Sequence, residues 1–205
     1  MITAAAAGLA YAPAAVDPGT GQAQEFQRIM YVHVPGAWIA FLAFFVAFVA
    51  SFLVLSKRSM WWDSLAVASA EIGVLFCTLA LVTGSIWGKA AWGVWWVWDV
   101  RLSTTLILWL IYAVYLVLRM STPEPERSAR FAAVYAIAGF AVVPLVFVSI
   151  HLWRTAHPRA FVMDDQGLTP GMYLTLVFCA GAFTLLYVSF LRARFRLEQL
   201  RRNGQ

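Results

Sequence analysis

Five of the ten tryptophans in this 205-residue sequence fall within twelve positions, at Trp87, Trp92, Trp95, Trp96 and Trp98. Gly88 and Gly93 stand between them, and Asp99 and Arg101 follow directly. We call residues 87–102 the tryptophan segment. Each indole offers a broad apolar ring and a single N–H donor, and a glycine lets a flat molecule approach the backbone closely. The segment therefore predicts a binding surface for a planar, apolar ligand with polar margins.

The alternative interpretation is an aromatic belt, because tryptophan is enriched where a membrane meets water. A belt usually takes one or two tryptophans from each helix end, whereas this segment holds five. If the segment is helical, Trp92, Trp95 and Trp96 share one face, and Gly88 shares a face with Trp92. The clustering favours the ligand surface over the belt.

Haem is a planar, apolar ligand with acidic margins, and it needs axial ligands for its iron. Neutral imidazole is a common axial ligand, and the chain has three histidines, His33, His151 and His157. The carboxylates of haem pair well with arginine, for which Arg101 and Arg154 are the candidates. A carboxylate at Asp99 would repel them, so we expect it to orient Arg101 or to accept a hydrogen bond from an indole.

The composition of the chain indicates the environment in which it folds. Of all residues 62% are hydrophobic and only 12% are charged, whereas about a quarter are charged in a soluble domain. The lipid bilayer is therefore the expected solvent. We predict an all-α integral membrane protein whose residues 1–205 form a single polytopic domain.

Runs of roughly 20 apolar residues mark the expected spanning helices. Four are clear, and a fifth contains a proline, which membrane helices tolerate. They lie at about 36–56, 64–86, 103–119, 131–150 and 171–191. The apolar stretch before them, about residues 1–16, is short for a span, and we expect a shortened first helix that ends near Val16. The total is about six helices, five of them firm.

Lysines and arginines in the connections predict the orientation. Ten lie on one side, at Lys57, Arg58, Arg119, Arg127, Arg130, Arg192, Arg194, Arg196, Arg201 and Arg202. Five lie on the other, at Arg28, Lys89, Arg101, Arg154 and Arg159. The first side is expected to be cytoplasmic, with a basic tail at 192–205 on the anionic lipid surface and no role in binding nucleic acid. The tryptophan segment, the loop at about 151–170 and all three histidines then face outward.

Several other chemistries lack their sequence signals. Cys77 and Cys179 are far apart in apolar runs, and the chain has neither a CxxC nor a CxxCH motif, which argues against covalently held haem. No phosphate-binding glycine loop or nucleophile–base pair is present, so the chain is not expected to be an enzyme. Glu71 lies within an apolar helix, where a carboxylate suggests function by default. We expect it to bond Ser69, Thr78 or a neighbouring helix, with a proton-linked or haem-entry role as the alternative.

At this point the residues resemble a known family. The run WGKAAWGVWWVWDVRLSTTLILW at 87–109 resembles the "WWD" signature of the haem-handling proteins of cytochrome c biogenesis. Two further stretches, RIMYVHVPGAW at 28–38 and HLWRTAHP at 151–158, resemble its C-subunit family, CcmC. The similarity runs from about Arg28 to the end of the last helix. The shortened first helix is the one departure from the family pattern.

The resemblance implies a set of residue roles and partners. Two external histidines ligate the iron, which here are His33 in the YVHVP context and His157 in the W-x-T-x-H pattern that begins at Trp153, but not His151. Haem b is held non-covalently and transiently at the outer face of the bacterial inner membrane. It passes to a haem chaperone, the E protein, with help from ATP-binding-cassette A and B subunits and a small D subunit.

Two other function classes remain open on the sequence. One is a membrane b-type cytochrome that transfers electrons, although such proteins usually hold haem between histidines within the bilayer. The other is a haem-free assembly subunit that docks partner proteins through its tryptophans. A solute transporter comes last, because we find no inverted repeat in the sequence.

Overall fold

The computed structural model describes Ala12 and residues 14–16, 23–121, 124–153 and 168–203. Within these residues, two short strands, β1 and β2, pair antiparallel ahead of a 3-10 turn, and six α-helices follow. The elements are β1 (Ala15–Val16), β2 (Ala23–Gln24), the 3-10 turn (Glu25–Ile29), α1 (Met30–Lys57), α2 (Met60–Trp92), α3 (Val100–Ser121), α4 (Pro125–Phe140), α5 (Val142–Leu152) and α6 (Pro170–Asn203).

Five segments of the described chain are long and apolar enough to cross a membrane. They are Glu25–Lys57, Met60–Trp92, Val100–Met120, Pro125–Ser149 and Pro170–Asn203. The protein is thus an all-α, multi-pass integral membrane protein, and the five firm spans of the sequence are confirmed. For the predicted shortened helix, Ala15 and Val16 lie in strand β1 instead, and residues 1–11 lie outside the described residues.

The fifth predicted span is divided into α4 and α5 at Ala141. Pro144 explains the position of the break. Its ring lacks an N–H and clashes with the carbonyl of the residue four positions earlier, which is Phe140, the last residue of α4. The Ala141 N–H turns instead to the carbonyl of Ala138 at 3.2 Å, a tighter turn than an α-helix makes.

Small residues allow α1 and α2 to pack closely along their length. Ala40, Ala43 and Ala47 are buried on α1, and the Ser69 hydroxyl of α2 donates to the Ala43 carbonyl at 2.8 Å. Close approach of this kind, assisted by a hydroxyl, is typical of helices packed in lipid. Helix α1 also contacts α4 and α6, and α3 contacts α2, α4 and α5.

The antiparallel order of the spans gives the molecule two different ends. One, which we call the tryptophan end, gathers the start of α1, the end of α2, the start of α3 and the end of α5. The opposite end, which we call the basic end, holds Lys57 and Arg58, the α3–α4 connection and the last turns of α6. His33 and the tryptophan segment therefore lie at the same end, as the sequence predicts.

The predicted basic tail continues α6 without a break as far as Asn203. Arg194 and Arg202 contact acidic side chains of α2. Asp63 on α2, only 1% exposed, accepts hydrogen bonds from both terminal nitrogens of Arg119 at 2.8 and 2.7 Å, and also pairs with Arg202. Residues 192–203 are therefore held to α2 by ion pairs, and α3 joins the same cluster through Arg119 and Asp63.

Glu71 accepts a hydrogen bond from Arg194 of α6 at 2.7 Å. The prediction that a neighbouring helix satisfies this carboxylate is confirmed. Ser69 and Thr78, the other predicted partners, bond elsewhere: Ser69 to Ala43 and Tyr187, and Thr78 to the Val74 carbonyl. Because Glu71 has a cationic partner, its charge is balanced inside the bundle.

Candidate functional site

The tryptophan segment begins as helix and ends as an irregular connection. Helix α2 ends at Trp92 because Gly93 adopts a left-handed conformation, with φ of 76°, and donates its N–H to the Lys89 carbonyl at 3.1 Å. The Lys89 ammonium returns a hydrogen bond to the Gly93 carbonyl at 2.7 Å. The connection up to α3 is not helical. The expected common helical face of Trp92, Trp95 and Trp96 is therefore wrong.

Asp99 forms the N-cap of α3. Its carboxylate accepts the backbone N–H of Leu102 at 2.8 Å, and its carbonyl accepts the N–H of Ser103 at 3.0 Å. An acid at this position satisfies an N–H that has no partner within the helix and complements the positive helix terminus. Capping is a third role beside the two that the sequence suggested, and it fixes where the helix that carries Arg101 begins.

A cavity opens at the tryptophan end between α1, α2, α3 and α5. About 80 Å³ of it is free space that a water-sized molecule can enter, and the cavity is open to the surface on one side, so a larger ligand would lie partly in its mouth. Its lining residues are His33, Ala37, Phe41, Ala80, Leu81, Gly84, Ser85, Trp87, Gly88, Trp92, Trp96, Arg101, Leu102, Thr105 and Val146. The walls are mainly apolar, with one imidazole and one guanidinium among them.

Three neighbours on α2 hold the His33 ring. Its Nδ1 lies 3.0 Å from the Thr83 hydroxyl, and the Trp87 ring meets it edge-on with centroids 5.6 Å apart. A Cβ placed on Gly84 would lie 3.0 Å from His33 Cε1, so a side chain there would press on the imidazole. The ring is therefore fixed by α2 although it belongs to α1.

Two buried donors in the cavity wall have no hydrogen-bond partner in the described part of the chain. They are the Trp96 indole Nε1 and the Arg101 guanidinium Nη1. Leaving a donor buried and unbonded costs about 1–3 kcal/mol, and more for a charged group. Since both residues line the same cavity, they are suited to an acceptor, above all a carboxylate, on a ligand bound there.

Gly88 allows the Trp92 ring to lie directly against helix α2. A Cβ at this position would stand 3.2 Å from the Trp92 ring and 3.4 Å from the Val94 carbonyl. The predicted pairing of Gly88 with Trp92 is confirmed in this respect. The glycine serves the packing of an indole that itself lines the cavity.

The five indoles do not form one surface. Trp87, Trp92 and Trp96 line the cavity, whereas Trp95 is 60% exposed and Trp98 is 78% exposed. Trp98 meets Trp96 edge-on, with centroids 5.7 Å apart, so the aromatic wall of the cavity continues to the surface through Trp98.

Five further residues were predicted for the site, and the structure describes three of them. Gly93, Asp99 and Trp153 are described but are not part of the cavity lining. Trp153 follows α5 and is 47% exposed. Arg154 and His157 lie outside the described residues, so their predicted roles stay predictions.

Sequence reasoning missed the cavity residues that lie away from the tryptophans. Gly84, which lines the cavity, and Thr83, which contacts His33 from outside the lining, precede Trp87 by three and four positions, which places them on its side of α2. Phe41 follows His33 by two turns of α1, and Thr105 follows Arg101 by one turn of α3. Helical periodicity from the known site residues would have found them, but nothing in the sequence pairs α1 with α2 in this register.

Comparison with known proteins gives a consistent result. A family model described as "Heme exporter protein C" matches residues 1–205. The chain is 40% identical over 190 residues to the heme exporter protein C of Bradyrhizobium diazoefficiens, covering 92% of this chain and 72% of that protein. It is 33% identical over 200 residues to that of Haemophilus influenzae, covering 97% and 79%. A "Putative cytochrome c biosynthesis ccmC-like mitochondrial protein" of Marchantia polymorpha is 37% identical over 172 residues, covering 83% and 73%.

Proposed function

Because the chain belongs to the heme exporter protein C family, we propose that it binds haem b, non-covalently and transiently, in the cavity at the tryptophan end and presents it for cytochrome c maturation. Haem is here the cargo, and the chain is a haem-binding and transfer protein rather than an enzyme. The single observation that carries the proposal is the pair of buried, unbonded donors, Trp96 Nε1 and Arg101 Nη1, beside an imidazole in an apolar cavity.

Each part of the cavity suits one part of haem. Apolar and aromatic walls at Phe41, Trp87 and Trp92 suit the porphyrin face. The Trp96 and Arg101 donors suit a propionate, since an arginine–carboxylate pair is a strong, charge-assisted interaction. His33 supplies an axial nitrogen for the iron. Bound haem would thus satisfy the groups that are costly to bury without a partner.

The second axial ligand comes from the family resemblance. It assigns the role to His157, with Trp153 and Arg154 beside it, and gives none to His151. Two histidines far apart in the chain would hold the iron from opposite faces. Gly93 and Asp99 then support the site indirectly, by ending α2 and starting α3 at the positions that bring Trp96 and Arg101 to the cavity.

The charge pattern supports an outward-facing site on a bacterial inner membrane. Ten lysines and arginines belong to connections at the basic end and five to those at the tryptophan end, so the basic end and the C-terminus are proposed to be cytoplasmic. The tryptophan end then faces the periplasm, where cytochromes c are matured.

Handover requires contact between the bound haem and its acceptor. Trp95 and Trp98 are exposed next to the cavity wall, and large exposed aromatic groups are typical of binding surfaces. We propose that they contact the E-type haem chaperone during transfer. Energy for release would come from the ATP-binding-cassette A and B subunits, with the small D subunit as a further member of the complex.

The same two exposed tryptophans favour a second candidate, in which the segment docks partner proteins and no haem is bound. An electron-transferring b-type haem protein is the third function class and differs from the first in holding haem permanently. A spectroscopic titration separates all three.

We would purify the protein in detergent, supply haem, and record oxidised and reduced absorbance spectra beside those of His33→Ala, His157→Ala and His151→Ala. The proposal expects a Soret band that weakens or shifts in the first two variants and not in the third. It also expects the haem to be transferred to an acceptor protein such as apomyoglobin.

Absence of a Soret band after haem is supplied would overturn the proposal in favour of haem-free docking. A band that is unchanged in His33→Ala would overturn the ligand assignment. Haem that stays bound in the presence of excess acceptor would favour the electron-transfer class.

A further inference from the structure

We infer that Thr83 is a positioning residue for His33, which sets the tautomer of the imidazole so that Nε2 presents its lone pair to the ligand. The inference rests on the proposed function for the identity of that ligand, and on the geometry of α2 for the tautomer. Thr83 is 9% exposed and lies one turn before Trp87 on the wall that α2 presents to α1.

The hydrogen bonds of Thr83 determine the direction of the contact. A hydroxyl has one proton to donate. The Thr83 hydroxyl lies 2.7 Å from the Leu79 carbonyl, one turn back in the same helix, and 3.3 Å from the Ala80 carbonyl. A carbonyl can only accept, so the Thr83 proton points towards these carbonyls and away from the imidazole.

In the contact at 3.0 Å between Thr83 Oγ1 and His33 Nδ1, the imidazole nitrogen must then be the donor. With its own proton used on the Leu79 carbonyl, the hydroxyl accepts, and Nδ1 must carry the hydrogen. In a neutral imidazole one nitrogen is protonated and the other bears the lone pair. His33 is therefore the Nδ1–H tautomer, and Nε2 is its basic nitrogen.

The position of the ring is fixed together with its tautomer. Trp87 meets the ring edge-on, and Gly84 leaves room for it where a Cβ would come within 3.0 Å of Cε1. Thr83, Gly84 and Trp87 are consecutive or one turn apart on α2, so a single helix face holds the imidazole. Outer-shell hydrogen bonds of this kind orient ligating histidines and raise their basicity.

The chain of hydrogen bonds has a consequence for the iron. A hydroxyl that donates to a carbonyl becomes a better acceptor, since hydrogen bonds in series polarise one another. The Thr83 hydroxyl therefore accepts a stronger hydrogen bond from Nδ1–H of His33. This increases the electron density on the imidazole and makes Nε2 a stronger donor to the metal. A stronger nitrogen donor favours ferric over ferrous iron, so Thr83 is expected to lower the reduction potential of the bound haem.

The first test needs no haem. We would label the histidines with ¹⁵N and record long-range ¹H–¹⁵N spectra of the detergent-solubilised protein, assigning His33 with the His33→Ala variant. The wild type and Thr83→Ser are expected to show the Nδ1–H tautomer at His33. Thr83→Val keeps the shape but removes the acceptor, and should show the Nε2–H form that predominates in water.

The second test uses haem. Thr83→Val is expected to bind ferric haem about tenfold more weakly and to raise the reduction potential, with Thr83→Ser restoring both. Thr175→Val is the matched control, because Thr175 makes the same back-bond to a carbonyl, at 2.8 Å to Gly171, but is a partly exposed residue of α6 that does not line the cavity. It should leave the tautomer, the affinity and the potential unchanged.

The two tests fail in distinguishable ways. An Nε2–H tautomer at His33 in the wild type, or an unchanged tautomer in Thr83→Val, would overturn the inference even if haem binds. An Nδ1–H tautomer in a protein that binds no haem through His33 would overturn the proposed function and leave the tautomer assignment standing.

Discussion

The two ends of the bundle differ in how their charged side chains are paired. At the basic end, buried Asp63 is paired with Arg119 and Arg202, and Glu71 is paired with Arg194. At the tryptophan end, the Trp96 and Arg101 donors are buried beside an apolar cavity without a partner in the described residues. Acidic and basic side chains that pair with each other join the helices of the basic end. Buried donors without a partner in a cavity wall are instead suited to bind a ligand.

The comparison also separates two kinds of tryptophan. Trp61 and Trp62 at the basic end pack against each other and their neighbours, with Trp61 also edge-on to Phe195. Trp95 and Trp98 at the other end are largely exposed beside the cavity. The density of tryptophans is therefore not by itself the signal of a site. What distinguishes the tryptophan segment is that three of its indoles line a mainly apolar cavity, whose wall holds an arginine without a carboxylate bonded to its buried Nη1.

The largest expected effect is at the basic end. Asp63→Asn removes the carboxylate that pairs with partly buried Arg119 and one of the two that pair with Arg202, the other being Glu198. We expect a loss of about 3–5 kcal/mol of stability. Thermal unfolding in detergent measures it. The folded fraction should keep wild-type affinity for haem, because Asp63 is remote from the cavity. A variant of wild-type stability would show that the ion pairs contribute nothing.

Glu126→Gln is the matched control for that measurement. Glu126 and Arg130 form an exposed pair one turn apart, at 3.5 Å, in α4. An exposed ion pair contributes less than about 0.5 kcal/mol, so this variant should unfold like the wild type.

The tryptophan end should respond in affinity instead of stability. Arg101→Gln removes a charged donor to a propionate, which is worth about 1.5–3 kcal/mol, so haem affinity should fall about 10- to 100-fold. Titration of haem followed by its Soret band measures this. Arg127→Gln, an exposed arginine of the basic end, is the control and should bind like the wild type.

Haem with both propionates esterified tests whether Arg101 acts on a propionate. The wild type should bind the ester more weakly, and Arg101→Gln should add no further loss. If the variant weakens the binding of haem and of the ester equally, the guanidinium does not act on the carboxylate.

A smaller effect is expected where α2 ends. Gly93→Ala places a side chain at φ of 76°, which costs about 1 kcal/mol, and shifts the connection that carries Trp96. Gly93→Asn should cost less, because asparagine tolerates this conformation better. Thermal unfolding and haem titration of the pair measure the difference. Equal losses in both variants would contradict a conformational role for the glycine.

The smallest expected effect distinguishes the two functions of one carboxylate. Asp99→Ala removes the cap of α3 and should cost about 1 kcal/mol, whereas Asp99→Asn keeps a capping side chain and should cost little. If Asp99 acts through its charge on Arg101, both variants should lose haem affinity alike. Thermal unfolding and haem titration of the two variants show whether Asp99 acts by capping α3 or through its charge on Arg101.

Much of the fold was predictable because spanning helices are marked by long apolar runs. Five spans and the shared end of His33 and the tryptophan segment follow from run length and alternation alone. The helix boundaries were less predictable than the spans, since helices α1, α2 and α6 extend well past their apolar runs. The break at Ala141 was signalled by Pro144, whose clash reaches back four residues, but the run there remains apolar throughout.

The site was predictable in its residue types and not in its arrangement. Six of the predicted residues line one cavity: His33, Trp87, Gly88, Trp92, Trp96 and Arg101. The capping role of Asp99 was not predicted, because the sequence alone does not fix where α3 begins. Thr83 was missed because it lies fifty residues from the histidine that it contacts.

The sequence by itself determined the solvent, the number of firm spans and the placement of His33 and the tryptophan segment at one end, because these depend only on composition and periodicity. Only the tertiary structure decided which partners the charged groups find and which donors are left over. That choice depends on the register of α1 against α2 and of α6 against α2, and register is set by side-chain packing between segments far apart in the chain.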